Sequence, residues 1–161
     1  MKKISRVIAS MMEYDSKDAR RIQHFVKVYG FAKAIGELEN LSEELQEILE
    51  VAAVVHDIGI KVSEEKYNSS AGQYQQLEGP PIAKKLLSDL GYEKNLIDRI
   101  CYLIAHHHTY HNIDGLDYQI LVEADFLVNI SENDMSGKEI ESIREKIFKT
   151  NTGRMFLDRM Y

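Results

Sequence analysis

Apolar residues recur along nearly the whole chain at helical spacing, and no stretch keeps the strict alternation of a strand. A first helix is expected over Ile4 to Tyr14. Asp15 or Ser16 can cap a second that runs to Leu38. That helix carries two apolar stripes. Ile22, Phe25, Tyr29 and Ala32 form one, and Val28, Phe31 and Ile35 continue the other from His24. Two apolar faces place it at the centre of a bundle. Ser42 caps a third helix, in which Leu45, Leu49, Ala52 and His56 share a face and Gly59 marks the end. Residues 60–77 are polar and read as a long loop, and Pro80-Pro81 then opens a helix that stops at Gly91, with Glu78 just before it. A helix from Asn95 to His108 carries its stripe through Leu96, Ile100, Leu103 and Ile104 onto His107. The next, Tyr118 to Ile130, holds Asp125 between Leu121 and Val128. Ser136 and Glu139 make a capping-box pattern, and Thr152 can cap a short final helix. The expected fold is an all-α, single-domain bundle over residues 1–161, with a core near 16–130 and C-terminal helices over 136–161.

Within that pattern one stretch is costly. Five apolar residues, Val51 to Val55, run directly into His56 and Asp57. Burying a carboxylate there requires a compensating charge. Four helices each place a polar residue on an apolar stripe: His24, His56 with Asp57, His107 and Asp125. Helical bundles build metal sites by this convergence. Imidazole and carboxylate without thiolate suit iron, manganese, magnesium, cobalt or zinc, one ion or two. Asp57 can bridge a pair of ions, and such a pair polarises a phosphoryl group and lowers a water pKa from ~15.7 to ~7. Plainer readings exist. His56-Asp57 could cap a helix C-terminus, Asp125 could pair with Arg99, and the run His106-His107-His108 could be a surface cluster.

Composition narrows the classes. The 161 residues are 44% apolar and 29% charged, as expected of a soluble globular domain. The net charge of −6, with no basic stripe, argues against a nucleic-acid scaffold but not against a small phosphorylated substrate. The single cysteine, Cys101, allows neither an internal disulfide nor a thiolate cluster. Apolar runs are too short for a membrane span. Lys2 and Lys3 are followed by polar interruptions rather than a signal-peptide core, so the cytoplasm is the expected location. A homodimer is compatible with all of this. No P-loop, G-x-S-x-G or G-x-G-x-x-G occurs.

The order His24, His56-Asp57, Asp125 resembles the HD superfamily of metal-dependent phosphohydrolases. Arg21-Ile22-Gln23-His24 is similar to its first histidine helix, Ala53 to Gly59 to its signature doublet, and Ile120 to Leu127 to its last-aspartate helix. Gln76 to Ala83, and His106 to Tyr110, resemble a subgroup of small bacterial HD proteins. The resemblance implies an all-helical fold with His24, His56, Asp57 and Asp125 around a first metal. Binuclear members add ligands between the doublet and the last aspartate. Here those places hold Glu78, departing from histidine, and the His106–His108 run, with His107 on the stripe. Arg21 and Lys61 are candidates to neutralise phosphate, Glu78 to orient a water or act as base, and His106 or His108 to protonate the leaving oxygen. Substrate selectivity is expected in residues 60–77 and 109–117. The implied activity is hydrolysis of a phosphoester in a nucleotide or related metabolite. A non-catalytic module that binds a nucleotide or metal, and a purely structural bundle, stay open as alternatives.

Overall fold

The computed structural model describes residues 3–161, so Lys2, cited above, lies outside the described residues. Among the described residues there are nine α-helices and no strand. They are α1 (Lys3–Tyr14), α2 (Ala19–Leu38), α3 (Glu43–Val55), α4 (Ile60–Tyr67), α5 (Gly72–Asp89), α6 (Lys94–His106), α7 (Leu116–Glu132), α8 (Gly137–Lys146) and α9 (Asn151–Met160). The fold is all-α. Helix α2 packs on α3 and α7, α3 also packs on α6 and α7, and α5 lies along α6. No helix among the described residues is long and apolar enough to cross a membrane.

Two heavily buried helices lead to polar residues of interest: α3 runs into His56 and Asp57, and α7 carries Asp125. On α3 every residue from Val51 to Val55 is buried, and on α7 every residue from Asp117 to Asp125. A helix buried on all sides sits centrally, and each fully buried aliphatic side chain on it contributes about 1.5–3 kcal/mol.

Local chemistry sets the helix ends. Ser42 accepts from Leu45 N, and Ser136 with Glu139 forms the reciprocal capping box. Asp18, rather than Asp15 or Ser16, caps α2 by accepting from Arg21 N at 3.0 Å. The connection is longer than expected because Lys17 turns left-handed at φ 72°, leaving Asp15 buried beneath it. Thr150, rather than Thr152, caps α9 by accepting from Gly153 N.

The largest departure is over residues 60–77. Instead of a loop, the chain forms α4 and the first turns of α5, so Glu78, Pro80 and Pro81 lie inside a helix. The segment reads as polar because α4 buries only Ser63. The prolines are accommodated beside a close backbone contact. A Cβ on Gly59 would fall 2.6 Å from the Gln75 carbonyl oxygen and 2.8 Å from Gly79 N. Two glycines thus let α5 rest on the turn that follows Asp57. Gly59 begins α4 rather than ending α3, which stops at Val55 with His56 as its cap. Likewise α6 stops at His106, with His107 as its cap.

Candidate metal centre

Two of the central helices end in a histidine that turns back on its own last turn. His56 Nδ1–H donates to the Ala53 carbonyl at 2.8 Å, and His107 Nδ1–H donates to the Ile104 carbonyl at the same distance. Each bond satisfies a helix-terminal carbonyl and commits Nδ1, so Nε2 is the nitrogen turned toward the other donors. On α2, His24 Nδ1–H donates to Glu132 Oε2 at 2.9 Å, again freeing Nε2. The capping role weighed for His56 is therefore real, and it orients the ring rather than competing with ligation.

The freed atoms converge. His24 Nε2 lies 3.3 Å from His56 Nε2, 3.2 Å from Asp57 Oδ2 and 3.2 Å from Asp125 Oδ1. His56 Nε2 lies 3.3 Å from Asp57 Oδ2 and 3.4 Å from Asp125 Oδ1. The other oxygen of Asp57, Oδ1, lies 3.4 Å from His107 Nε2. Asp57, His107 and His108 form a second donor group beside that of His24, His56 and Asp57.

Both groups fit a cation. Asp125 Oδ1 and His107 Nε2 are buried with no hydrogen-bond partner among the described residues, an expensive state unless something positive fills the space. Ligand bonds of about 2.0–2.2 Å place neighbouring donors about 3.0–3.5 Å apart, the spacing seen around Asp57 Oδ2. The electrostatics agree. Burial works against a charged His24, yet the adjacent carboxylates of Asp125 and Asp57 outweigh it and raise its pKa to about 10. His56 is pushed the same way, burial being overcome first by the Asp57 charge. For Asp57 and Asp125, burial favours the neutral acid, but the surrounding imidazoles hold both carboxyls well below the usual range. Two ionised carboxylates there call for positive charge, which protons supply when nothing else does.

His108 differs. Burial, reinforced by His107, lowers its pKa to about 4. Its Nε2–H donates to Gln75 Oε1 at 3.0 Å, so Nδ1 is the nitrogen left free. Gly72 allows this approach, since a Cβ there would press on the His108 side chain at 3.0 Å.

A cavity of about 570 Å³ opens onto this centre, with His24, Asp57, His108 and Asp125 among its lining residues. Arg21 also lines it, but its guanidinium already faces Glu64 at 3.2 Å, Asp18 at 3.6 Å and Asp15 at 4.0 Å. Three other candidates do not line the cavity. Lys61 donates to the Tyr14 carbonyl and lies over that ring, because it leaves α4 on the side of α1. Glu78 is in neither donor group; being inside α5, it turns outward to Lys66 at 3.1 Å and Tyr67 at 2.8 Å. His106 stacks on Tyr102 with ring centroids 4.1 Å apart and donates to the Tyr102 carbonyl. It occupies the last turn of α6, about 100° around the helix axis from its neighbour His107. Arg99 pairs with Asp114 and Asp117, not with Asp125.

Two residues that orient the site's histidines went unread in the sequence. Glu132 lies seven positions beyond Asp125, two turns along the same face of α7, and that spacing could have disclosed it. Gln75 carried no such signal, because its segment read as a loop.

The sequence pattern of the HD domain family matches residues 21–149. No curated protein sequence matches the chain. Among solved structures, the chain is similar to a crystal structure described as a predicted HD superfamily hydrolase from an uncultured Thermotogales bacterium. The TM-score is 0.66 and the identity 21%, over 97% of this chain and 82% of that one.

Proposed function

Since the chain belongs to the HD domain family, we propose that it is a metal-dependent phosphohydrolase acting on a small phosphorylated metabolite, a nucleotide or a relative of one. The observation that carries this reading is the pair of donor groups sharing Asp57, with two buried atoms that have no hydrogen-bond partner among the described residues: His107 Nε2 in the second group, and Asp125 Oδ1 beside His24 and His56 of the first. His24, His56, Asp57 and Asp125 would hold one divalent ion, and Asp57, His107 and His108 a second. Ions so placed supply Lewis acidity toward a phosphoryl oxygen and lower the pKa of a water to near neutrality.

The chain's own residues do the rest. Outer hydrogen bonds from His24 to Glu132, His56 to Ala53 and His107 to Ile104 fix each ring before substrate arrives. Arg20 lines the cavity, has no ion pair among the described residues, and is placed to meet a phosphate oxygen. Arg21, held by three carboxylates, acts mainly to fasten α2 to α4. The cavity volume suits a small molecule.

Metal analysis with a phosphate-release assay tests the proposal. Protein prepared without a histidine tag and reconstituted with manganese is expected to hold about two ions per chain and to release phosphate from a panel of phosphomonoesters. A chain that takes up no metal would overturn it. A chain that loads metal and binds nucleotides without turnover would be a binding module instead.

A further inference from the structure

The cavity has a second wall that the metal chemistry does not use. Phe126 follows Asp125 on α7, and Asn129 and Asn133 lie three and seven positions further on, along one helical face. All three line the cavity, as does Tyr110 from the connection between α6 and α7. The Tyr110 and Phe126 rings meet at 5.1 Å with their planes inclined by 57°. Tyr110 is 41% exposed, yet its backbone is anchored, because the buried Tyr118 hydroxyl bonds to the carbonyl of Thr109. A large ring held open over a polar cavity is poor economy for folding alone. Beside it, the side-chain amides of Asn129 and Asn133 have no hydrogen-bond partner among the described residues, leaving donors and acceptors free.

We propose that Tyr110, Phe126, Asn129 and Asn133 form the subsite for the base of a nucleoside monophosphate, with the phosphoryl group at the donor cluster around Asp57. The inference rests on the phosphohydrolase reading and names its substrate class. A nucleobase is the metabolite group that offers both a flat apolar face for the aromatic corner and an edge of donors and acceptors for the amides. A sugar has the edge without the face, and an acyl chain has neither. The charge around the cavity limits the phosphate tail. Arg21 is already neutralised, Arg20 stands alone, and Asp18, Glu64 and Glu132 share the walls. Beyond the ions at the donor cluster, a diphosphate or triphosphate would bring its extra charge toward those carboxylates, where Arg20 is the one cavity-lining arginine outside an ion pair among the described residues.

The test compares the adenosine, guanosine, cytidine and uridine 5′-monophosphates with ribose 5-phosphate on the manganese-loaded full chain. At least one nucleotide is expected to exceed ribose 5-phosphate in kcat/KM by about tenfold, the size of one base–aromatic stack. Tyr110→Leu, which keeps an apolar side chain against Phe126, is expected to erase that ratio through KM, and Tyr110→Phe to retain it. Asn129→Ala is expected to change the ranking among the bases. Equal kcat/KM for nucleotides and ribose 5-phosphate would overturn the subsite while leaving the phosphohydrolase intact. If neither class releases phosphate, the phosphohydrolase reading fails, and equilibrium dialysis still judges the subsite: equal affinity for adenosine monophosphate and ribose 5-phosphate overturns it, and a preference lost in Tyr110→Leu upholds it.

Discussion

Around Asp57 Oδ2, donors arrive from three separate core helices: His24 from α2, His56 from the end of α3 and Asp125 from α7. Around Asp57 Oδ1, the donors are two neighbours from the end of one helix, His107 and His108. The first group contains a second carboxylate, and its spacings fall within 3.2–3.4 Å. The second has no carboxylate of its own, and its outer imidazole is steadied by Gln75, a neutral amide on the more peripheral α5. Charge density and enclosure both favour the first position. If both positions hold an ion, as proposed, the first is expected to bind it more tightly, because that position belongs to the hydrophobic core whereas the second depends on how α5 is docked.

The residue common to both groups should give the largest effect. Asp57→Asn keeps the shape but removes a negative charge and one oxygen donor from each position. Both ions are expected to be lost, and activity to fall by more than the 10–100-fold, roughly, that removal of an outer partner costs. Elemental analysis of folded variant protein checks this. Retention of two ions per chain would show that Asp57 does not bridge.

A smaller and one-sided effect is expected for Gln75→Leu. The substitution removes the acceptor that sets the His108 tautomer and leaves every donor in place. Affinity for the second ion should drop by about 10–100-fold, while the first ion stays. Manganese titration followed by electron paramagnetic resonance separates the two, since paired ions couple and single ions do not. Equal weakening of both positions would mean that α5 supports the whole centre and that the contrast drawn between them is wrong.

How far this contrast could be read in advance follows from where each residue gets its signal. His24, His56, His107 and Asp125 stand on stripes whose apolar neighbours recur every three or four positions, so helix geometry alone places them inward. The all-α class follows from the same periodicity. The α4–α5 pair was not legible for two reasons. A helix that buries only Ser63 leaves no stripe, and Pro80-Pro81 argues for a helix start although both lie in the interior of α5. That misreading put Glu78 at a helix entrance facing the site, whereas the observed helix turns it to Lys66 and Tyr67. It also concealed Gln75. Glu132 was half legible: the seven-residue spacing puts it on the Asp125 face of α7, but its bond to His24 spans 108 positions and depends on how α7 crosses α2. Periodicity reports which face is buried, not what that face meets.

The smallest effect is a count of protons, and it probes the two positions without any mutation. In the ion-free protein the His24 pKa is raised to about 10, so at pH 8 its ring is charged. An ion at the first position needs the Nε2 lone pair and must displace that proton. The His108 pKa is lowered to about 4, so at pH 8 its ring is already neutral and releases nothing. Calorimetric titration with manganese in two buffers of different ionisation enthalpy should therefore show about one or more protons released with the first equivalent and fewer with the second. The same sign governs stability. A histidine raised on folding contributes fully below its unfolded value near 6.5, and that contribution is lost as pH climbs through about 10. Ion-free protein should thus lose melting temperature between roughly pH 6.5 and 10, whereas loaded protein, in which His24 is held by the ion rather than by a proton, should not. Equal proton release for the two equivalents, with parallel melting curves, would mean that the donor groups differ in position but not in charge.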